Sequence, residues 1–520
     1  MKMLLSVALV GAMATHRGTV VAQSISEPGA KTKAVSVELK RGQELAQKYC
    51  STCHLFPEPG LLTKTAWIHH IQPEMAKWLG LERVDFEGMP DGTILQEAAI
   101  YPPSRLLPEE DWFAIWDYYR AAAPSQPGRQ PPKAAVKIGL KQFRVRKLNP
   151  APGAPMISLV KIDAARKRLY AGDGFVNILF ALDPAGEVVG RVRVESGPVS
   201  MSTVESGTYF NLIGRLFPSD AREGIVLFVP NPVTGLPPKR VLENLRRPTG
   251  TLVADLNQDG RDDLVVCQFG NRLGQFSWFE NKGGDRYDEH VLLDRPGAVQ
   301  AAVRDFNGDG RPDILVMMAQ AREGAYLFLN EGHGKFRMET LLEKPPTWGF
   351  AGFELADFNK DGHLDLITAN GDNGDFALPL KSYHGIRIYL NDGRKHFTES
   401  FFYPMHGAYK AVARDFDGDG DLDIAAIAFY PDFTAAAPES FVYLENQGGL
   451  KFEASTFAES NAGRWIVMDA GDLDGDGDDD IALGSFVRGP TTTPEPLELR
   501  DQWRTNGAAV LLLENLGKRK

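Results

Sequence analysis

Five nine-residue acidic turns recur along the second half of this 520-residue chain, and their spacing constrains the fold more than any other feature. They place Asp255, Asn257, Asp259 and Asp263; Asp305, Asn307, Asp309 and Asp313; Asp357, Asn359, Asp361 and Asp365; Asp415, Asp417, Asp419 and Asp423; and Asp472, Asp474, Asp476 and Asp480 at positions 1, 3, 5 and 9. Successive starts lie 50, 52, 58 and 57 residues apart. Positions 1, 3 and 5 supply side-chain oxygens, glycine at 6 permits a sharp turn, position 7 offers its carbonyl and Asp at 9 closes the loop. This is the first part of a calcium-binding EF-hand loop without its final glutamate, and a strand-like run follows where a helix would. For one such loop, an Asx-rich turn is the alternative. Five in register are not.

The turns sit in a repeated frame. After each comes an apolar β run, such as Ile314-Leu315-Val316, then a strand ending in Asn and Gly, such as Tyr326 to Asn330 and Gly332. A fourth strand opens near Tyr287, Phe336, Phe397 or Phe452. Four strands per period of about 50 residues predict β-propeller blades. Residues 158–194 and 199–245 read as two further blades; Asp163 begins an acidic turn that fails at Ala164 to Lys167, so these should lack calcium. Seven blades are expected, with six or eight as the alternatives. The motifs and frame resemble FG-GAP, or VCBS, repeats, whose best-known setting is the integrin α-subunit propeller. The resemblance covers about residues 249–520 and implies an all-β propeller over 134–520. Up to five Ca²⁺ would offset the 17 carboxylates at the liganding positions, in a chain whose net charge is −11, so folding and calcium should be coupled. The acidic balance and the lack of a basic stripe argue against nucleic acid.

The first half carries a different signal. Cys50-Ser51-Thr52-Cys53-His54 has the spacing of a c-type haem attachment site: two thiols for the two vinyl groups, then an imidazole for the iron. A disulfide or half of a zinc site is the alternative, but a second paired ligand motif is missing. A short helix runs through Leu45 and Tyr49 into Cys50. A second holds Trp67, His69, His70 and Ile71 until Pro73 interrupts it. A third begins at Pro108, with Trp112, Ile115, Trp116 and Tyr119 on one face. Helix, haem motif and terminal amphipathic helix resemble a small all-α cytochrome c-like domain over 37–123, followed by a Pro-rich linker at 124–133. The resemblance implies one covalent haem c, with Cys50 and Cys53 as thioether anchors and His54 as proximal ligand. Pro57, Pro59, Trp67 and Met75 match a bacterial subgroup whose methionine is the distal ligand. Met89, in Gly88-Met89-Pro90, is the rival; His69, His70 or an open site remains.

Residues 1–22, one lysine and then a short apolar run with Ala-x-Ala sites, read as a signal peptide. The mature chain is therefore expected to be exported, periplasmic or extracellular in a bacterium, with no membrane span. Cys267, in a strand-like apolar run, is expected to be a packed core thiol. Long connections near 370–385, 430–440 and 485–507 would carry Asp372, Asp375, Tyr383, His384, Tyr430, Asp432, Arg488, Arg500, Trp503 and Arg504 to the propeller face opposite the acidic turns, as a surface for a redox partner or an extracellular ligand. The first functional reading is electron transfer by an exported haem protein whose calcium-stabilised propeller docks a partner or substrate. The alternatives are a propeller oxidoreductase of a sugar or alcohol, with haem as electron outlet, and an adhesion or glycan-binding module. No catalytic set is recognisable.

Overall fold

Each acidic turn passes directly into a six-residue strand buried along its whole length: Asp263–Gln268, Asp313–Met318, Asp365–Asn370, Asp423–Ala428 and Asp480–Ser485. Burial on both faces explains why these strands read as continuous apolar runs rather than alternating ones. The computed structural model describes residues 29–150, 153–231, 237–374, 380–435, 439–489 and 496–517; the expected signal peptide lies outside them.

Seven sheets result, each a meander of four antiparallel strands. Blade 1 holds Ile157–Asp163, Arg168–Asp173, Ile178–Leu182 and Val188–Arg193. Blades 2 to 6 begin at Pro198–Val204, Pro248–Ala254, Ala298–Arg304, Phe350–Ala356 and Ala408–Arg414, and blade 7 at Trp465–Gly471. Each first strand touches the first strands of the blades on either side, and blade 7 returns to blade 1, so the ring closes. Second and third strands are wedged between blades. Outer strands such as Arg286–Leu293 are largely exposed.

Closure is non-covalent. The outer strand of blade 7 is Phe143–Leu148, from the start of the propeller, paired antiparallel with the C-terminal strand Val510–Asn515 in the register Phe143↔Asn515 to Leu148↔Val510. Glu514 receives Arg144 and Arg146 across this seam. Lys137–Ile138 adds a fifth, parallel strand to blade 6. The propeller is not wholly β, because a helix, Leu497–Asn506, lies between the last two strands.

The seven blades match the expectation; the separate all-α cytochrome c-like domain over 37–123 does not, and is corrected here. Among the described residues of this segment, two helices exceed two turns, α1 (Gly29–Cys50) and α2 (Glu109–Ala122). Between them the helical pieces are short: Pro59–Leu61, Lys64–Ala66, Trp67–Ile71, Gln72–Trp78 and Gly92–Glu97. Turns and bends make up the rest, and the segment lies against the propeller. Prolines 57, 59, 90, 102 and 103 break the pattern by removing N–H donors. Pro73 does not interrupt its helix as expected. A π-turn at Trp67–Ile71 precedes it, with Gln72 N–H donating to Trp67, and Pro73 falls in the first turn of the next α-helical piece, where no donor is required.

The helical segment has an apolar centre of its own, built on Trp67, Ile115, Trp116 and Tyr119, all at most 2 % exposed. α1 crosses α2 at Gly42, where a Cβ would stand 2.2 Å from the Ala114 carbonyl oxygen. Only glycine allows that approach. Cys267 is buried in the cluster that joins blades 3 and 4, and burial pushes its thiol up.

Candidate functional site

All five acidic turns lie at one end of the ring, between first and second strands. In each, Asp at position 1 accepts the N–H of residue 6: Gly260 at 2.9 Å, Gly310 at 2.7, Gly362 at 2.9, Gly420 at 2.9 and Gly477 at 3.1. These bonds curl the loop and turn the acidic side chains together. In the two loops with a third aspartate, Asp415, Asp417 and Asp419, and Asp472, Asp474 and Asp476, each bring one carboxylate oxygen within 4.8 Å of the others, near enough to share one cation. The Asp255 and Asp305 loops, with asparagine at position 3, differ. Arg261 pairs with Asp259, and Arg311 with Asp309 at 2.5 Å, and each arginine also donates to a strand-three carbonyl at 2.7 Å. These loops neutralise part of their own charge.

Position 9 faces inward. Asp263, Asp313, Asp365, Asp423 and Asp480 are buried, and one oxygen of each accepts, at 2.8 Å, the N–H of the asparagine that ends strand three: Asn281, Asn330, Asn391, Asn446 and Asn515. That asparagine then bridges. Its Nδ2 donates to the carbonyl at position 8, and its Oδ1 accepts the N–H of a glycine two residues on, as Asn330 does with Pro312 and Gly332. Asn330 and Asn515 also donate to Leu256 and Phe416 of the preceding blade, each at 2.8 Å. Burial raises all five aspartates, Asp423 to about 6 and Asp480 to about 7. They brace the loops from inside the blades.

The Cys50–His54 turn leaves the end of α1. Both thiols are free; burial pushes Cys50 up to about 12, and Cys53 is exposed. His54 Nδ1 lies 2.9 Å from the Leu55 carbonyl. A carbonyl can only accept, so Nδ1 carries the proton and Nε2 keeps its lone pair for a metal. Burial lowers the His54 pKa, which keeps the ring neutral. Met75 and Cys50 are each partly buried and each pack against the apolar cluster of the helical segment, whereas the Met89 N–H donates to the Phe86 carbonyl in a turn. His69 and His70 are exposed. Two free thiols and an imidazole whose proton is held on Nδ1 are donors that would fit a covalently attached haem.

The helical segment covers the ring end opposite the acidic turns, where second and third strands connect. Asp91 takes Arg215 at 2.8 Å, the Ser219 hydroxyl at 2.7 and the Asp220 N–H at 2.8, all from blade 2. Arg322 of blade 4 reaches the Cys53 and Thr52 carbonyls at 3.3 and 3.5 Å. Gln130 donates to the His384 carbonyl, and Lys133 pairs with Glu439 at 2.5 Å. The face expected to receive a partner thus receives this chain's own N-terminal segment.

Residues 255–316 and 305–368 match the model of the FG-GAP-like repeat. No curated protein matches the chain. Solved structures similar to it include the N-terminal domain of Nup159 (10 % identity, TM-score 0.41, covering 75 % of this chain and 98 % of that one) and BBS1N in complex with ARL6DN (10 %, 0.44, 74 % and 99 %). The Neurospora crassa Pan2 WD40 domain is another (9 %, 0.42, 67 % and 94 %).

In the FG-GAP-like repeats, positions 1, 3 and 5 stand together as the spacing implied, and position 9 lies beneath them. Several residues expected on the opposite face are interior instead. His384, Tyr430 and Trp503 are at most 5 % exposed; Tyr383 stacks on Trp348 at 5.1 Å, and Trp503 Nε1 donates to the Asn461 carbonyl. Asp375 lies outside the described residues. The bridging asparagines were legible as strand ends but not as braces; the Asn-x-Gly spacing shared by all five repeats was the signal. Asp91 and Arg322, which tie the halves together, carry no sequence signal.

Proposed function

We propose that this protein is an exported c-type haem protein that carries single electrons, with Cys50 and Cys53 as thioether anchors and His54 Nε2 as proximal ligand. The observation that carries the reading is the tautomer of His54: the Leu55 carbonyl holds the proton on Nδ1, and two free thiols lie within the preceding turn. Bound haem supplies a one-electron couple. The chain's own contribution is to orient the imidazole, to present the thiols and to wall the site with apolar side chains. Met75 is the distal ligand in this reading, supported by its packing against the apolar cluster that Cys50 also touches, and Met89 is the rival. The propeller is the platform: Arg322 holds the Cys50–His54 turn against it, and the FG-GAP-like loops take Ca²⁺, the Asp415 and Asp472 loops most tightly because three carboxylates already converge there.

The test is maturation in a host that attaches haem. Colour should survive denaturing electrophoresis and extraction with acidic acetone; haem that extracts overturns the reading. Met75→Ala should remove the weak sulfur-to-iron absorption of the ferric protein and lower its potential, whereas Met89→Ala should leave both in place. Among the described residues no helix is long and apolar enough to cross a membrane.

A further inference from the structure

Arginines on three outer strands are answered within the chain. Arg144 and Arg146 meet Glu514, Arg240 meets Glu195 and Glu243, and Arg337 meets Glu331 and Glu339. The outer strand of blade 1, Val188–Arg193, differs. It is the free edge of its sheet and is exposed along nearly its whole length. Arg191 and Arg193, two residues apart, stand on one face. Among the described residues neither has an ion pair or a side-chain hydrogen bond. Val188, Val189 and Val192 are 42, 52 and 53 % exposed, and the strand holds no carboxylate. Pairing is regular from Gly190 to Arg193, past a bulge at Val189.

Such an edge presents a row of N–H and C=O groups with no strand beside them. Blade 6 shows how this molecule closes one. Its outer strand Phe452–Thr456 takes Lys137–Ile138 as a fifth, parallel strand; the Gly139 N–H donates to the Thr456 carbonyl at 2.7 Å, and Lys137 pairs with Glu453 at 2.7 Å. The added strand brings the charge opposite to that of the edge. In blade 1 the edge is cationic. A second copy pairing through the same edge is disfavoured, because an antiparallel register centred on Val192 sets the two arginines of one copy against those of the other. We propose that the outer strand of blade 1 is a docking edge for an extended acidic segment of a partner protein, which joins the sheet as a fifth strand. Carboxylates two residues apart along that segment meet Arg191 and Arg193, and an apolar side chain between them covers Val192 on the other face.

Fluorescence anisotropy on the full-length holoprotein tests this with peptides carrying a neutral dye. The peptide Glu-Val-Glu-Val-Glu-Val should bind, with an affinity that falls as salt rises. Its Lys-Val counterpart should not bind. Neither should a peptide of the same charge with proline at the two inner valines, which lacks the N–H groups of a ladder. Arg191→Glu/Arg193→Glu should lose the Glu-Val peptide and gain the Lys-Val one, with an unchanged melting curve because both side chains are exposed. No rise in anisotropy with wild type, or equal binding by the double variant, overturns the site. Equal binding by the proline peptide overturns strand addition in favour of plain charge contact. Sedimentation in which wild type dimerises and the double variant stays monomeric gives the edge to a second copy and overturns the acidic partner.

Discussion

Asp313 and Asn330 show how one residue pair holds a blade. The aspartate accepts N–H groups from Phe306 and Asn330, and the asparagine side chain passes on to Pro312, Gly332 and Leu256 of the neighbouring blade. Asn446 makes the same contacts within its own blade, to Leu422 and Gly448. Asn330→Ala should therefore cost about 2–3 kcal/mol in urea denaturation and Asn446→Ala about 1–2, since each stranded buried group costs about 1–3 kcal/mol. Equal costs would refute the inter-blade role. A second residue sets a pH dependence. Glu323 is buried, accepts the N–H groups of Gly349 and Phe350, and is raised well above the usual carboxylate range by burial. The folded state then holds the Glu323 proton more tightly than the unfolded chain, where it leaves near about pH 4.3. Its contribution is complete below that pH and is lost as pH rises towards the folded value. Glu323→Gln, which keeps the acceptor, should gain on wild type by up to about 1.4 kcal/mol per pH unit across that window. Melting curves between pH 5 and 8 that run parallel would refute it. Neither residue was legible as a brace: the asparagine read as a strand end, and Glu323 had no pattern around it.

At the level of elements, the acidic loops and the blades were legible because both repeat. Loop chemistry and strand burial impose the same spacing five times over, so local noise cancels. Single elements were harder. The helical run around Pro73 continues through a π-turn, which periodicity does not announce, and the resemblance to a small all-α domain placed the haem motif in an architecture the chain does not build. What the repeats did not disclose is that neighbouring blades share cations. Lys360, in the blade 5 loop, pairs with Asp421 beside the blade 6 cluster at 2.6 Å, and Lys167 of blade 1 donates to the Asp474 carbonyl at 2.6 Å. In the calcium reading proposed above, these positive charges oppose Ca²⁺ at the neighbouring loop. Chelation should lower the propeller's melting temperature, and on back-titration the Asp415 and Asp472 loops should fill first. Lys360→Met should tighten calcium at the Asp415 loop without touching the Asp305 loop. Metal analysis that finds no calcium, with a melting temperature indifferent to chelator, would reduce the loops to turns.

Over the whole molecule, the two halves form one body through a few polar ties. Asp91 is the strongest, with three partners on blade 2 and a left-handed backbone (φ 57°) that those bonds help to hold. Asp91→Ala should raise amide hydrogen exchange across residues 86–101 while the blade strands stay protected; unchanged exchange would mean that the segment docks by other contacts. The seam of the ring sets a different kind of limit. Arg144 and Glu514, which meet there, are 370 residues apart. At about 5–20 residues per second of synthesis, roughly 20–70 s pass between the appearance of one edge and its partner. Through that interval Phe143–Leu148 waits as an unpaired strand, the kind of edge that other chains pair with. The clock of translation thus decides how long this protein is vulnerable, and a ribosome that releases early, short of Val510, leaves an open ring whose two free edges can be satisfied only by another molecule.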